Sequence, residues 1–198
     1  MHSSQPSRSL TVAKVGGSLF DLPDLAARLE RWLNAQRFAD VILVPGGGPT
    51  ADIVRYLDQR HGLGEETAHW LALRALTMNA HFLAELLKPR LPVVSGNTTA
   101  WPDLLQRGML PILDAYAFAQ ADESRPHRLR HSWQVTSDSV AVRVAVVVEA
   151  PRLILLKSVS LPADTPWEEA ARQGIVDPEF AQLVRETCLE AVVDNLRG

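Results

Sequence analysis

The chain contains a single cysteine, Cys188, so no intrachain disulfide can form, and a lone thiol suits a reducing, cytoplasmic compartment. Lysine is scarce: Lys14, Lys88 and Lys157 stand against seventeen arginines. Twenty basic and 23 acidic side chains leave a net charge of −3, of the wrong sign for a nucleic-acid partner held by phosphate neutralisation. No uninterrupted apolar run approaches the roughly 20 residues of a bilayer span; the richest stretch, 140–150, is broken by Arg143 and Glu149. Nothing therefore predicts a membrane partner. Residues 1–9 are polar, lack the apolar core of a signal peptide and read as a disordered tail. Low-complexity tracts and internal repeats are missing too, as are GxGxxG and GxxxxGK[ST], the two commonest phosphate-loop signatures. What remains is a chain of 198 residues, 46% apolar, enough to bury a core as one domain over residues 10–198. It should stand alone or form a homo-oligomer, and its partner should be a small molecule.

Short apolar runs alternate with amphipathic ones. Leu10 to Val15 reads as a buried strand running into Gly16-Gly17-Ser18, and Pro23 opens a helix through Leu25, Leu29, Trp32 and Leu33. Val41 to Val44 repeats the pattern, followed by Pro45-Gly46-Gly47-Gly48 and a helix carrying Ile53, Val54 and Leu57. A long helix over Glu65 to Leu87 is apolar on most faces, so it is buried or covered by a partner subunit. Strands are predicted at Leu91 to Ser95, Met109 to Leu113 and Arg152 to Lys157, each suited to an interior parallel position. Helices are predicted at Trp101 to Gln106 and from Ser137 through Val147, with a polar stretch over Gln120 to Arg130. Weaker patterns suggest helices at Trp167 to Arg172 and Pro178 to Thr187 and a strand near Ala191 to Val193. The alternation implies an α/β fold, a three-layer αβα sandwich with a mainly parallel sheet.

Two glycine-rich loops each join a strand to a helix. Taken singly, either is a tight turn; paired, they present backbone N–H groups and helix starts to an anion such as phosphate. Lys14 and Lys157 close apolar strand patterns, where a charge is tolerated if it emerges at the carboxyl edge of the sheet, the edge at which open α/β sheets bind ligands. Asp138 falls at a predicted helix start, where a carboxylate caps. Two lysines and a carboxylate so placed suit phosphoryl transfer: the lysines neutralise the migrating group, and the carboxylate holds them or binds Mg²⁺.

Four segments carry a resemblance: Lys14-Val15-Gly16-Gly17-Ser18-Leu19, Val44-Pro45-Gly46-Gly47-Gly48-Pro49, Thr136-Ser137-Asp138-Ser139-Val140-Ala141 and Leu155-Leu156-Lys157-Ser158-Val159. In this order they resemble the amino acid kinase superfamily. The resemblance implies that Lys14, Asp138 and Lys157 are catalytic and that Gly16, Gly17, Ser18 and Ser158 contact the transferred phosphate and nucleotide. By the same likeness Gly46, Gly47, Gly48, Thr136 and Ser137 bind the acceptor, with ATP as phosphoryl donor and Mg²⁺ carried by it. Segments 68–73 and 131–138 look most like the branch that includes the aminomethylfuran phosphate kinase of one-carbon metabolism. His69 and Trp70, on an apolar helix, nevertheless read as packing residues. Members of the superfamily usually follow the second lysine's strand with an Asp-Gly stretch and a Met-x-x-Lys segment that shape the adenosine site. Here Ser158-Val159-Ser160-Leu161-Pro162 follows instead, so the nucleotide-binding half is expected to be abbreviated.

Three readings compete: a kinase acting on a phosphomonoester or carboxylate, a non-catalytic anion- or ligand-binding protein on the same fold, and a dinucleotide oxidoreductase, the last disfavoured without its fingerprint. The basic cluster Arg125, His127, Arg128, Arg130 and His131 reads as a solvated loop rather than an anion-gathering lid. Asp114, Asp164 and Asp177 show no distinguishing context.

Overall fold

The computed structural model describes residues 9–36 and 39–198. The tail expected over residues 1–9 lies outside them as far as residue 8, and Ser9 already belongs to a strand. Among the described residues six strands, β1 (Ser9–Val15), β2 (Ala39–Pro45), β3 (Pro92–Ser95), β4 (Leu110–Leu113), β5 (Arg152–Lys157) and β6 (Glu190–Asn195), form one sheet of order β3-β4-β2-β1-β5-β6. Every pairing is parallel. The helices are α1 (Leu25–Ala35), α2 (Gly48–His61), α3 (Glu65–Leu86), α4 (Trp101–Gln106), α5 (Ala115–Asp122), α6 (Ser137–Val147), α7 (Trp167–Arg172) and α8 (Phe180–Thr187).

Strand residues alternate between two cores, as the two-residue period of a strand dictates. Val12, Ile42, Val44, Leu153 and Leu155 join α6, α8 and the first half of α3 on one face. Ala13, Val15, Leu43, Ile154 and Leu156 join α1 and the second half of α3 on the other. This is the three-layer sandwich the alternation predicts, and burial on both faces explains why β1, β2 and β5 read as nearly continuous apolar runs.

Three details differ from the sequence reading. No helix was expected between Leu113 and the polar stretch from Gln120, yet α5 fills that segment, capped by Asp114, whose carboxylate accepts from the Ala117 N–H at 3.1 Å. β3, expected in the interior, is an edge strand with only half-buried residues. α2 buries none of its side chains: Ile53, Tyr56 and Leu57 are exposed, as are Met78 and Phe82 on α3, against which α2 packs.

Along the chain, β1 leads to its neighbour β2 on one side, whereas β5 returns on the other side of β1 and leads outward to β6. The boundary between β1 and β5 is thus the point where the winding reverses, and a crevice forms at the carboxyl ends of such strands.

Candidate active site

Lys14 sits one residue before the end of β1, opposite Leu155 of β5, and Lys157 ends β5. Side-chain alternation puts Lys14 on the face of Val12 and Lys157 on the face of Leu155, both in the core beneath α6. Each lysine thus extends an apolar row by one step, to the place where α6 begins. The first turn of α6 carries Asp138. Its Oδ1 lies 2.9 Å from Lys14 Nζ, and Lys157 Nζ donates to Oδ1 at 2.9 Å and Oδ2 at 2.8 Å.

All three side chains are buried. Isolated charges there would cost several kcal/mol each, and one carboxylate between two ammonium groups offsets much of that. Burial pushes the Asp138 carboxyl upward, but Lys14 and Lys157 outweigh it and hold it below the ordinary aspartate range. Burial, then repulsion from Lys14, lowers Lys157 to about 8 despite attraction by Asp138. With both lysines protonated the triad carries one unbalanced positive charge, an arrangement that favours an arriving anion.

The two glycine loops meet backbone to backbone. A Cβ on Gly17 would lie 2.2 Å from the Gly48 nitrogen, and one on Gly46 would lie 2.4 Å from the Gly17 nitrogen. Any side chain at either position would force the loops apart. Asn79 locks the second loop from α3: its Nδ2 donates to the carbonyls of Gly46 and Gly47, each at 2.7 Å. On the first loop, Ser18 Oγ shares a hydrogen bond with Ser158 Oγ at 2.9 Å, and the Arg197 guanidinium donates to the Ser18 carbonyl at 2.7 Å.

Between the loops and α6 lies a cavity of about 250 Å³. Lys14, Gly17, Ser18, Gly47, Gly48, Thr136 and Ser137 line one part of it; Leu73, Leu76 and Val140 form an apolar wall with the His69 imidazole set into it, and Arg55 and Trp133 stand at its rim. Arg55 lies over the Trp133 ring at 4.8 Å, and Trp133 Nε1 donates to Asp58 at 2.8 Å.

Twelve residues were expected at the site, and the structure brings them to one edge of the sheet. Seven line the cavity, with Asp138 and Lys157 joined to Lys14 beside it. Gly16 and Gly46 do not line it; they allow close backbone approach, Gly16 N donating to the Leu156 carbonyl at 2.8 Å and Gly46 N to the Val15 carbonyl at 2.8 Å. Ser158 also lies outside the lining and reaches the site through Ser18.

Sequence reasoning missed several residues. Asp177 is buried and accepts through Oδ2 from the Thr136 N–H (2.9 Å), the Thr136 hydroxyl (2.9 Å) and the Ser139 N–H (3.0 Å). Its Oδ1 accepts from the Ser139 hydroxyl at 2.5 Å and from the Phe180 N–H at 3.0 Å. One carboxylate therefore ties together the starts of α6 and α8 and sets the turn that carries Asp138. The Asp177-Pro178 step before an apolar period is a helix-start signal that marks the local half of this role. Asn79 was visible as a polar residue on an apolar helix face. His69, read as packing, lines the cavity as well. The basic cluster stays outside the lining: Arg125, Arg128 and Arg130 pair with Asp122, Glu123 and Glu179, and His131 Nε2 lies 2.8 Å from Glu123 Oε1.

Comparison with known proteins bears on the family and the fold. The chain is 24% identical over 151 residues to a [5-(aminomethyl)furan-3-yl]methyl phosphate kinase of Methanocaldococcus jannaschii, spanning 75% of this chain and 65% of that relative's length. Its fold is similar to the UMP kinase of Ureaplasma parvum (TM-score 0.71, 16% identity, 97% of this chain and 92% of that one). The UMP kinase of Bacillus anthracis is similar too (TM-score 0.68, 17% identity, 98% and 89%). A family model also matches residues 9–161, the stretch containing both glycine loops, both lysines and Asp138, and by that match the chain belongs to the amino acid kinase family.

Proposed function

We propose that the protein is a small-molecule kinase that transfers the γ-phosphate of ATP to an ionised acceptor, a phosphomonoester or a carboxylate. The observation that carries this reading is the buried triad of Lys14, Asp138 and Lys157 beside a glycine-walled cavity. Phosphoryl transfer needs little covalent help from a protein; it needs positioning and positive charge where the transferred group passes. Lys14 and Lys157 supply the charge, and Asp138 keeps the two ammonium groups apart and aimed.

The nature of the base narrows the acceptor. Both Asp138 oxygens are held by ammonium groups, Asp52 at the cavity rim pairs with Arg55, and His69 is depressed by burial and by His131 to about 4. Among the described residues of the cavity none is thus a strong, free base. An alcohol would need one. A phosphate or carboxylate oxygen is already anionic at neutral pH: it bonds to the γ-phosphorus, the bond to the bridging oxygen breaks, and ADP leaves without a proton transfer. The likeness to the Methanocaldococcus enzyme, named for a phosphomonoester, favours that acceptor; the product is then a diphosphate, and the resemblance carried by segments 68–73 and 131–138 points to a role in one-carbon metabolism.

The same pinning of Asp138 bears on the metal. A carboxylate with both oxygens occupied suits Mg²⁺ that arrives on the nucleotide rather than an ion held by the protein. When bound, Mg²⁺ carried by the nucleotide would add positive charge to that of the two lysines, while Gly16, Gly17, Ser18 and Ser158 would hold the donor phosphates. The donor-binding part of the site is formed by the segment 158–166, α7, α8 and β6. A second copy of the chain covers the exposed apolar side chains of α2 and α3, so the active form is a homo-oligomer, cytoplasmic as the lone thiol suggests. The test is acceptor-dependent ADP release with Mg-ATP and a panel of phosphomonoesters and carboxylates. Turnover by the wild type and at least a hundredfold loss in Lys14→Ala and Lys157→Ala is expected; tight anion binding without turnover would favour the binding-protein reading.

A further inference from the structure

Set among the apolar residues of the cavity wall is a polar side chain with no hydrogen-bond partner among the described residues. His69, in the second turn of α3, is only 7% exposed. Its ring stacks on His131 with centroids 4.9 Å apart and meets Trp70 edge-on at 5.9 Å. Neither ring nitrogen has a hydrogen bond to a described residue, nor is either among the buried polar atoms sealed off without a partner, as Trp101 Nε1 is. His131 differs: its Nε2 is engaged by Glu123. The neighbours of His69 along the helix face, Ala72, Leu73 and Leu76, are apolar and line the same cavity. The wall therefore offers apolar contact interrupted by a single polar group.

Burial and the adjacent His131 keep His69 neutral at physiological pH. A neutral imidazole presents one N–H donor and one lone-pair acceptor. It adds no charge to hold an anion, which Lys14 and the glycine loops already attract, and it is a weak base. Its N–H and its lone pair can each hydrogen-bond a polar atom of a ligand seated against this wall, an uncharged one included, and a buried group left unpaired by the wrong ligand discriminates more sharply than apolar contact does.

We infer that His69 is the specificity-determining residue of the acceptor pocket, hydrogen-bonding one uncharged polar atom, a ring oxygen or a hydroxyl, on an otherwise apolar short body joined to the ionised group. This rests on the reading that the cavity holds the acceptor. The body lies against Leu73, Leu76 and Val140 while its charged end faces Gly47 and Gly48.

The test uses the full chain and two probes that differ only in a ring oxygen against a CH₂, tetrahydrofuran-3-ylmethyl phosphate and cyclopentylmethyl phosphate. Binding is measured by calorimetry without nucleotide, and turnover separately with Mg-ATP. The wild type binds the oxygen-containing probe about tenfold or more tighter. His69→Leu, which keeps the volume, loses that preference by weakening the oxygen-containing probe alone, and His69→Gln keeps part of it. If His69→Leu does not fold, His69→Met serves the same comparison. Equal wild-type affinities, binding of neither probe, a preference that survives in the apolar variant, or equal weakening of both probes overturns the inference. Preferential binding with no turnover would refute the kinase reading and leave the role of His69 standing; turnover without preference would do the reverse.

Discussion

Two of the three lysines in this chain lie within reach of one carboxylate, and the third, Lys88, sits in an exposed pair with Glu85. A compact ammonium on a flexible stem can follow a moving phosphoryl group, whereas a planar guanidinium prefers a fixed bidentate partner. An ammonium can also lose its proton, and this produces a measurable signature. Lys157 is lowered by burial and by Lys14 to about 8, so kcat/KM should fall on the alkaline side, about tenfold per pH unit above about 8. Stability moves the other way. Between about 8 and the ordinary lysine value of 10.5 the unfolded chain holds a proton on this group that the folded chain has released, so the group's contribution to stability rises with pH. Activity lost above pH 8 while the denaturation midpoint holds marks titration in the site; a joint loss marks unfolding. Asp138→Asn removes the carboxylate that opposes the lowering of Lys157, so its alkaline limb moves to lower pH and its kcat falls.

Among the elements, the placement of the lysines, Asp138 and both glycine loops was legible because the signal for each is local. A glycine needed for backbone approach, a charge closing an apolar strand and a carboxylate at a helix start all leave a mark within a few residues. Asp177 was not legible, because its partners Thr136 and Ser139 lie on another helix and nothing in the Asp177-Pro178 step names them. α5 was obscured because its last turn is polar, and β3 looked interior because composition reports burial potential, not position in the sheet. The dependence of α6 on Asp177 is testable. Asp177→Asn keeps the size but presents an amide N–H₂ to N–H and O–H donors, leaving several buried groups unsatisfied. A loss of about 3 kcal/mol in denaturant unfolding is expected. The folded fraction should also show a lower kcat and a displaced alkaline limb, because the turn bearing Asp138 shifts against Lys157. A wild-type rate profile in the folded fraction would reduce Asp177 to a purely structural anchor.

At the scale of the whole molecule, the αβα sandwich and its parallel sheet followed from alternation alone, whereas strand order did not, since the jump from β2 out to β3 depends on packing between distant segments. That order makes the site, by placing the reversal of winding between β1 and β5. The molecule also leaves Ile53, Tyr56, Leu57, Met78 and Phe82 exposed on two neighbouring helices, more apolar surface than isolated exposed residues explain. If a second copy covers them, light scattering of the wild type gives a dimer or larger species at micromolar concentration, and Ile53→Glu with Phe82→Glu gives a monomer. A wild-type monomer would remove the homo-oligomer from the account.

Transfer of a phosphoryl group onto an ionised acceptor is the activity proposed for the Lys14–Asp138–Lys157 triad. Phosphorus NMR of the protein with Mg-ATP and a small phosphomonoester tests it most directly. The paired resonances of a new diphosphate are expected to appear in step with ADP, and to be absent in Lys14→Ala and Lys157→Ala. ADP appearing with only inorganic phosphate, no product from any phosphomonoester or carboxylate, or undiminished product from both variants would contradict it.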